Sequence, residues 1–438
     1  MTAGNTKPLK SRRDSTHRSG PQAIARLVVV LLSLLACVWG IWNSASEGLS
    51  QLLASYGAAT ARLDVAGRAA RLGASVPETH SARASLLAES GAQAEALEEY
   101  ECAVALRPQD YALWLELGRA RDVAGDSQGA LSAYREARRL APFYAQPRWQ
   151  LGNTLYRLGQ LEEAFVELRE AVASNPKLMP QAIALAWAAY KADARAVAQA
   201  LRPQTPSLRL VLARFFARHG KAREAVEQFR AAGGAPGDER RALLAELLGA
   251  HHVREAYEVW ASGRQLKTVG DDSALNRILN GGFEEAVILN DPGFGWQLSQ
   301  SAGVEAAQET GLARSGAQSL RLVWNGNSDA ATEILSQLIL VEPNARYQLR
   351  FAARTEKLLT GGLPVVSVTD ASGGAGDALG QAAALPQGTH EWEEYSLEFQ
   401  TPAATDAVRI LVRRRNCNNP LCPAYGSIWL DDFSIRKI

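Results

Sequence analysis

The sequence predicts three consecutive architectures: an N-terminal transmembrane helix, an all-α repeat solenoid and an all-β jelly-roll sandwich. Three observations predict them. A charge-free apolar run follows a basic arm, a 34-residue period fills the middle of the chain, and the periodicity then drops to two. At 438 residues the chain is long enough for several cores. Its formal charge of +1 supplies no global field for nucleic acid, which is not expected as a partner.

Residues 1–26 carry Lys7, Lys10, Arg12, Arg13, Arg18 and Arg26 against the single acid Asp14. "LVVVLLSLLACVWGIW" follows at 27–42, sixteen residues without a charge. Snorkelling of Arg26 lets Ala23–Ala25 enter the apolar layer, which brings the span to about 30 Å at 1.5 Å per residue. Trp39 and Trp42 then fall in the outer aromatic belt, and the basic arm stays in the cytoplasm. "LLAC" at Cys37 also resembles a lipoprotein cleavage box, and an ordinary cleaved signal is a third reading. The expectation is an uncleaved anchor in the inner membrane. All three readings export the rest of the chain.

Residues 43–76 form a helical lead-in, and the repeat array occupies 77–264. Three units in register share Gly91, Gly125 and Gly159, then Ala96, Ala130 and Ala164. Tyr100, Tyr134 and Leu168 follow, then Ala103, Ala137 and Ala171, then Pro108, Pro142 and Pro176. Glycine permits a turn between two amphipathic helices, alanines allow close helix packing, and proline ends the second helix. The pattern resembles the tetratricopeptide repeat, with Ala84, Gly118 and Gly152 at its small first-helix position. It continues more loosely through a shortened unit from Met179, one with Gly220, and one with His251 at the turn, about six in all. Such arrays bury their core only by stacking neighbours.

The resemblance implies a protein partner held in a concave groove lined by first helices. Its groove positions fall on Leu115, Arg119 and Asp122, on Trp149, Asn153, Tyr156 and Arg157, and on Arg214 and Arg218. Trp149 with Tyr156 is the most distinctive pair there, because an exposed aromatic cluster marks a contact surface. Cys102, between Tyr100 and Ala103, is expected to be a small buried hydrophobe.

A polar linker at 265–277 leads to the third architecture, residues 278–438. Short runs such as "SLRLVW", "YQLRFAA", "EYSLEF" and "VRILVRR" alternate with period two; in the last, Val408, Ile410 and Val412 share a face opposite Arg409 and Arg413. Strands at this spacing predict an antiparallel sandwich. "LNGGFEEA", "GW", "SGAQSLRL", "EWEEYSLEFQTP" and "WLDDFSI" occur in an order that resembles carbohydrate-binding modules of families 4, 9 and 22, within the galactose-binding-like group. That resemblance implies a structural calcium on Glu284 or Glu285 with Asp432 and Asp431, the only cofactor it suggests. It also implies an oligosaccharide or polysaccharide stacked on an aromatic ring. Trp324 is the candidate, flanked by Asn325, Asn327 and Asp329, while Trp296, Trp392 and Trp429 are expected in the core.

Cys417 and Cys422 close a small loop before the last strand. In an exported domain they are expected to pair, since zinc would need two more Cys or His ligands and the domain offers only His390. No H-E-x-x-H, Walker A or G-x-S-x-G motif occurs. The sequence reads as a non-enzymatic envelope scaffold, with polysaccharide assembly or export as its expected setting. A purely protein-binding assembly factor with a structural sandwich is the alternative.

Overall fold

The computed structural model describes residues 20–235, 237–262, 275–287, 293–299, 303–326, 333–373, 377–415, 417 and 422–438, with side chains from residue 25. Most of the basic arm, linker residues 265–274, Asn327 and Asp329 lie outside the described residues. The chain divides into two units, 1–175 and 176–438.

In the first unit α1 (Gly20–Ala59) is one unbroken helix. Between Leu27 and Trp42 its apolar side chains face outward, Leu27 at 64% and Trp42 at 71% exposure. Among the described residues, α1 alone is long and apolar enough to cross a membrane. Its second half then changes character. Ser50 and Ala54 are buried, and Gly73, after α2 (Leu63–Leu72), leaves the space that Ser50 fills; a Cβ there would lie 2.2 Å from the Ser50 Oγ.

Three further helix pairs follow: α3 (Pro77–Glu89) with α4 (Gln93–Leu106), α5 (Tyr111–Val123) with α6 (Ser127–Leu140), and α7 (Ala145–Arg157) with α8 (Leu161–Ser174). Gly91, Gly125 and Gly159 turn within each pair at φ of +87°, +84° and +76°, left-handed backbone that favours glycine. Gly118 admits the ring of Tyr134, whose Cε1 would stand 2.5 Å from an added Cβ, and Gly152 admits Leu168 in the same way. The six alanines of the second helices are fully buried.

The second unit begins with α9 (Met179–Ala189) and the short α10 (Ala194–Leu201), then α11 (Pro206–Arg218) with α12 (Ala222–Ala231) and α13 (Gly237–Gly249) with α14 (Val253–Ala261). Gly220 makes the turn of the middle pair at φ +69°, and His251 adopts φ 61° in the last, where a glycine would be easier.

The same unit contains two five-stranded sheets whose strand pairs are all antiparallel, β1-β4-β9-β6-β7 and β2-β3-β10-β5-β8. In the first sheet, β1 is Gln297–Leu298, β4 Glu333–Leu340, β6 Pro364–Asp370, β7 Ala378–Gln381 and β9 Ala407–Arg414. In the second, β2 is Val304–Thr310, β3 Gln318–Asn325, β5 Arg346–Thr360, β8 Gly388–Gln400 and β10 Ala424–Lys437. Val408, Ile410 and Val412 enter the core with Leu320, Leu322, Ile428 and Leu430, while Arg409 and Arg413 take the other face of β9. Phe433 N donates to Gly281 O at 2.9 Å, which joins the segment before β1 to β10.

The last repeat packs on this sandwich. Tyr257 and Trp260 of α14 meet Phe294 with ring centroids 4.9 and 5.6 Å apart, and Arg254 Nε stands 3.4 Å from Asp406 Oδ2.

One expectation about placement needs correction here. Cys102 is exposed, because Ala103 and Tyr100 take the buried side of α4 and the adjacent position turns about 100° away. Trp429 is buried as expected, on the face of its sheet away from the cluster between the sheets. Arg321 and Arg354 stack over its ring at 5.1 and 5.3 Å, and its Nε1 donates to Glu309 Oε2 at 2.8 Å. Trp296 is in the core as expected, and Trp392 is half-buried.

Candidate protein-binding groove

Within the first unit the first helices α5 and α7 meet through polar side chains, so groove residues there divide between these helix contacts and solvent. Leu115 belongs to neither. It lies in a buried cluster with Tyr134, Leu151 and Leu155, which removes it from the groove list.

Asp122 on α5 pairs with Arg157 on α7 and accepts from Thr154 Oγ1 at 3.1 Å, so both predicted residues serve to tie first helices together. Arg119, half-buried on α5, makes no hydrogen bond or ion pair among the described residues. Asn153 Nδ2 donates to the Trp149 carbonyl at 2.7 Å. Trp149 and Tyr156 are both half-buried, but their rings do not meet. Tyr156 instead sets its edge against Phe165, with centroids 6.4 Å apart.

In the second unit Arg214 donates to Glu246 Oε1 at 2.8 Å, and Arg218 Nε lies 3.6 Å from the same oxygen. The Arg214 guanidinium is held above its usual pKa, chiefly by that hydrogen bond. An aromatic cluster missed in the sequence lies on neighbouring helices. Trp187 of α9 meets Phe215 at 5.1 Å and His219 at 5.2 Å, and Phe215 stacks on His219 at 4.0 Å. Trp187 stands 34 residues after Asn153, so the repeat register contained the signal; the shortened α9–α10 pair obscured it.

A second missed feature is a cavity of about 490 Å³ at the start of the groove, walled by α1, α3 and α5. Glu78, Asp110 and Glu116 line it, with Arg107 between the first two: Arg107 Nη1 is 2.6 Å from Glu78 and 3.7 Å from Asp110. Glu116 accepts from the Ser81 hydroxyl at 2.6 Å.

The sandwich residues expected to bind ligands have other duties. Trp324 is 2% exposed in the core between the sheets, because its register on β3 points it inward with Leu320 and Leu322. It cannot offer a stacking face, and Asn325 is left at the strand end without that platform. Glu284 Oε1 accepts from the backbone N–H groups of Ala317 and Gln318 at 2.9 and 3.1 Å. Asp431 is fully buried and accepts from the N–H groups of Arg314 and Ser315 at 2.8 and 3.2 Å, while Asp432 accepts from the Ser315 hydroxyl. Burial raises the Asp431 pKa despite those bonds. These carboxylates face N–H and hydroxyl donors of the loop, and the Glu285 side chain stays exposed. Among the described residues no three Asp, Glu, His or Cys groups converge as a metal site. The acids clamp the loop before β3.

Cys417 and Cys422 are joined as a disulfide. Arg414, buried at the end of β9, secures the loop: its guanidinium donates to Cys422 O at 2.7 Å, Thr360 Oγ1 at 2.8 Å and Gly362 O at 3.2 Å.

Paired helices, a left-handed turn inside each pair and small residues at the crossings decide the nature of the array. The repeats are tetratricopeptide-like. A family model described as the bacterial transcriptional activator domain matches residues 41–141. A search of curated proteins finds no match. Among solved structures the chain is similar to a thermophilic tetratricopeptide-repeat protein of Thermus thermophilus, at 24% identity and a TM-score of 0.26, covering 47% of this chain and 99% of that one. It is also similar to MamA of Desulfovibrio magneticus, from residue 41 of that protein onward, at 18% identity and a TM-score of 0.29, covering 44% and 93%. It is similar as well to a family 4 carbohydrate-binding module, at 15% identity and a TM-score of 0.29, covering 37% of this chain and 100% of that one. Scores this low add nothing to what the helix pairs and sheets themselves establish.

Proposed function

We propose that this protein is a membrane-anchored, non-enzymatic scaffold whose repeats hold a protein partner on the exported side of the membrane. The observation that carries the reading is α1. One continuous helix exposes an apolar surface over Leu27–Trp42, then buries Ser50 and Ala54 as part of the solenoid. An exposed apolar belt of that length has a large hydrophobic cost in water and none in lipid. The basic arm before it favours a cytoplasmic N-terminus. Half-buried Trp149 and Tyr156, unpaired Arg119 and the Trp187 cluster support a protein-binding role for the first helices. Alkaline extraction of membranes tests the anchor: the full chain should remain with the lipid, and a chain that starts at residue 43 should leave it. Release of both into the soluble fraction would defeat the reading.

A second reading places an envelope saccharide on the sandwich and the protein in surface-polysaccharide assembly or export. With Trp324 in the core, one observation still favours it. A polar cleft of about 530 Å³, bordered by His251, Glu333, Ser336, Thr369, Asp370, Arg409 and Arg413, lies where the α13–α14 turn meets the sheet of β1, β4, β9, β6 and β7. The Arg413 side chain makes no hydrogen bond or ion pair among the described residues. Oligosaccharides of the host's envelope that fail to perturb the Arg413 environment in a titration of the full chain would remove this reading.

A further inference from the structure

We propose that the cavity between α1, α3 and α5 receives a Lys- or Arg-bearing segment that lies a few residues beyond the exported end of another protein's membrane helix. The inference rests on the membrane-anchored reading and names the partner class for the first part of the groove.

Height comes from the continuity of α1. Gln51, at the cavity wall, is nine residues past Trp42, and Ala58, at its far side, is sixteen. At 1.5 Å per residue these positions stand at most about 14 and 24 Å beyond the apolar span, and any tilt of α1 lowers them further. A polypeptide leaving the same bilayer crosses that distance in roughly four to seven extended residues. A soluble partner would reach the cavity only against the adjoining membrane surface, whereas a neighbouring membrane protein already has its flank at this level.

Charge selects among such flanks. Three carboxylates, Glu78, Asp110 and Glu116, stand against one guanidinium, Arg107, which leaves the cavity with net charge −2. Glu78 and Asp110 share Arg107, whereas Glu116 has only the Ser81 hydroxyl, so an incoming ammonium or guanidinium finds a carboxylate without a cation. Gln51, Ser55 and Ser85 add neutral hydrogen-bonding groups. Anionic lipid headgroups are repelled by the same charges, which favours a peptide over lipid. Flanks on the exported side are poor in Lys and Arg. An acidic cavity at this height therefore discriminates among neighbours instead of accepting any of them.

The test uses the full chain in phosphatidylcholine nanodiscs with p-benzoylphenylalanine replacing Ser85. The probe is a synthetic single-span peptide whose exported flank carries Arg-Lys-Arg at positions four to six after its apolar helix. Controls are the same span with Asp-Glu-Asp in the flank, and the basic flank as a free peptide. The basic span should crosslink at Ser85, with half-saturation shifted about tenfold in a Glu78→Gln, Glu116→Gln double variant, as expected for losing two partly exposed charges. The acidic span should not compete. Equal capture of acidic and basic spans, or indifference to the double variant, overturns the proposal. Failure of the anchor itself is read separately. If the protein does not remain in the nanodisc while the free basic peptide still binds and loses affinity in the double variant, the membrane origin of the partner is overturned although the cavity binds cations. Saturation by anionic lipid alone overturns the choice of a peptide.

Discussion

Replacing Trp324 with alanine separates a core residue from a ligand platform. Trp324 is 2% exposed and packs among Leu322, Ile428 and their neighbours between the sheets. Truncating a buried aromatic side chain to alanine costs about 3–5 kcal/mol through lost transfer energy and the cavity left behind. One feature lowers the figure: the indole Nε1–H is buried without a hydrogen-bond partner among the described residues. Such an orphan group carries a penalty of about 1–3 kcal/mol, so the expected net loss for Trp324→Ala is about 2 kcal/mol. Trp324→Phe discards the orphan N–H while keeping most of the ring, and its expected loss is below about 1.5 kcal/mol. Hydrogen exchange of the β3 and β10 amides in the full chain reads this locally, without requiring one global transition. Alanine should reduce their protection by about thirtyfold, with phenylalanine close to wild type. Unchanged protection in the alanine variant would refute the core assignment and return Trp324 to the surface.

Gly118→Ala should destabilise the first unit by about 1–2 kcal/mol in urea titration despite alanine's better helix propensity, since the new Cβ meets the fully buried ring of Tyr134; a neutral or stabilising result contradicts that packing. Burial pushes Tyr100 and Tyr134 up to about 12. Their folded values exceed the unfolded value near 10, so the folded state retains more protons between those limits and loses stability as pH rises from about 10 to 12. Thermal melts at pH 9 and 11 should show that loss, and Tyr100→Phe with Tyr134→Phe should reduce the difference between them. Reducing the Cys417–Cys422 bond should cost roughly 2 kcal/mol by the loop-entropy estimate. Mass spectrometry of unreduced protein should find the two peptides linked, and free thiols at both positions would exclude the bond.

Much of this fold was legible because its signals are periodic. The recurrence of Gly91, Gly125 and Gly159 reports a backbone requirement, and the alternation in β9 reports which face is wet. Six helix pairs from α3 onward and a two-sheet antiparallel region follow from those patterns. The candidate sites were less legible for a physical reason. Position in a repeat or strand gives a direction, but what a side chain meets depends on its neighbour. Leu115 and Asp122 both occupy groove positions, yet one packs on Leu151 and the other pairs with Arg157. Trp324 sits at a strand end before a polar turn, and only the strand register shows that it points inward. Glu284 and Asp431 match the acids of a calcium site by position, while the loop before β3 supplies N–H donors in its place. The acidic cavity was beyond reach of the sequence because its walls come from three helices and its height depends on α1 staying unbroken.

The central claim, that the repeats stand on the exported side of an anchored chain, is tested most directly by the thiol of Cys102. It is exposed on α4, Cys37 lies within the proposed span, and Cys417 and Cys422 are joined to each other. A membrane-impermeant maleimide added to intact spheroplasts should label the wild-type protein once, and Cys102→Ser should remove the label. Labelling of Cys102 only after the spheroplasts are lysed would place the repeats in the cytoplasm and contradict the account.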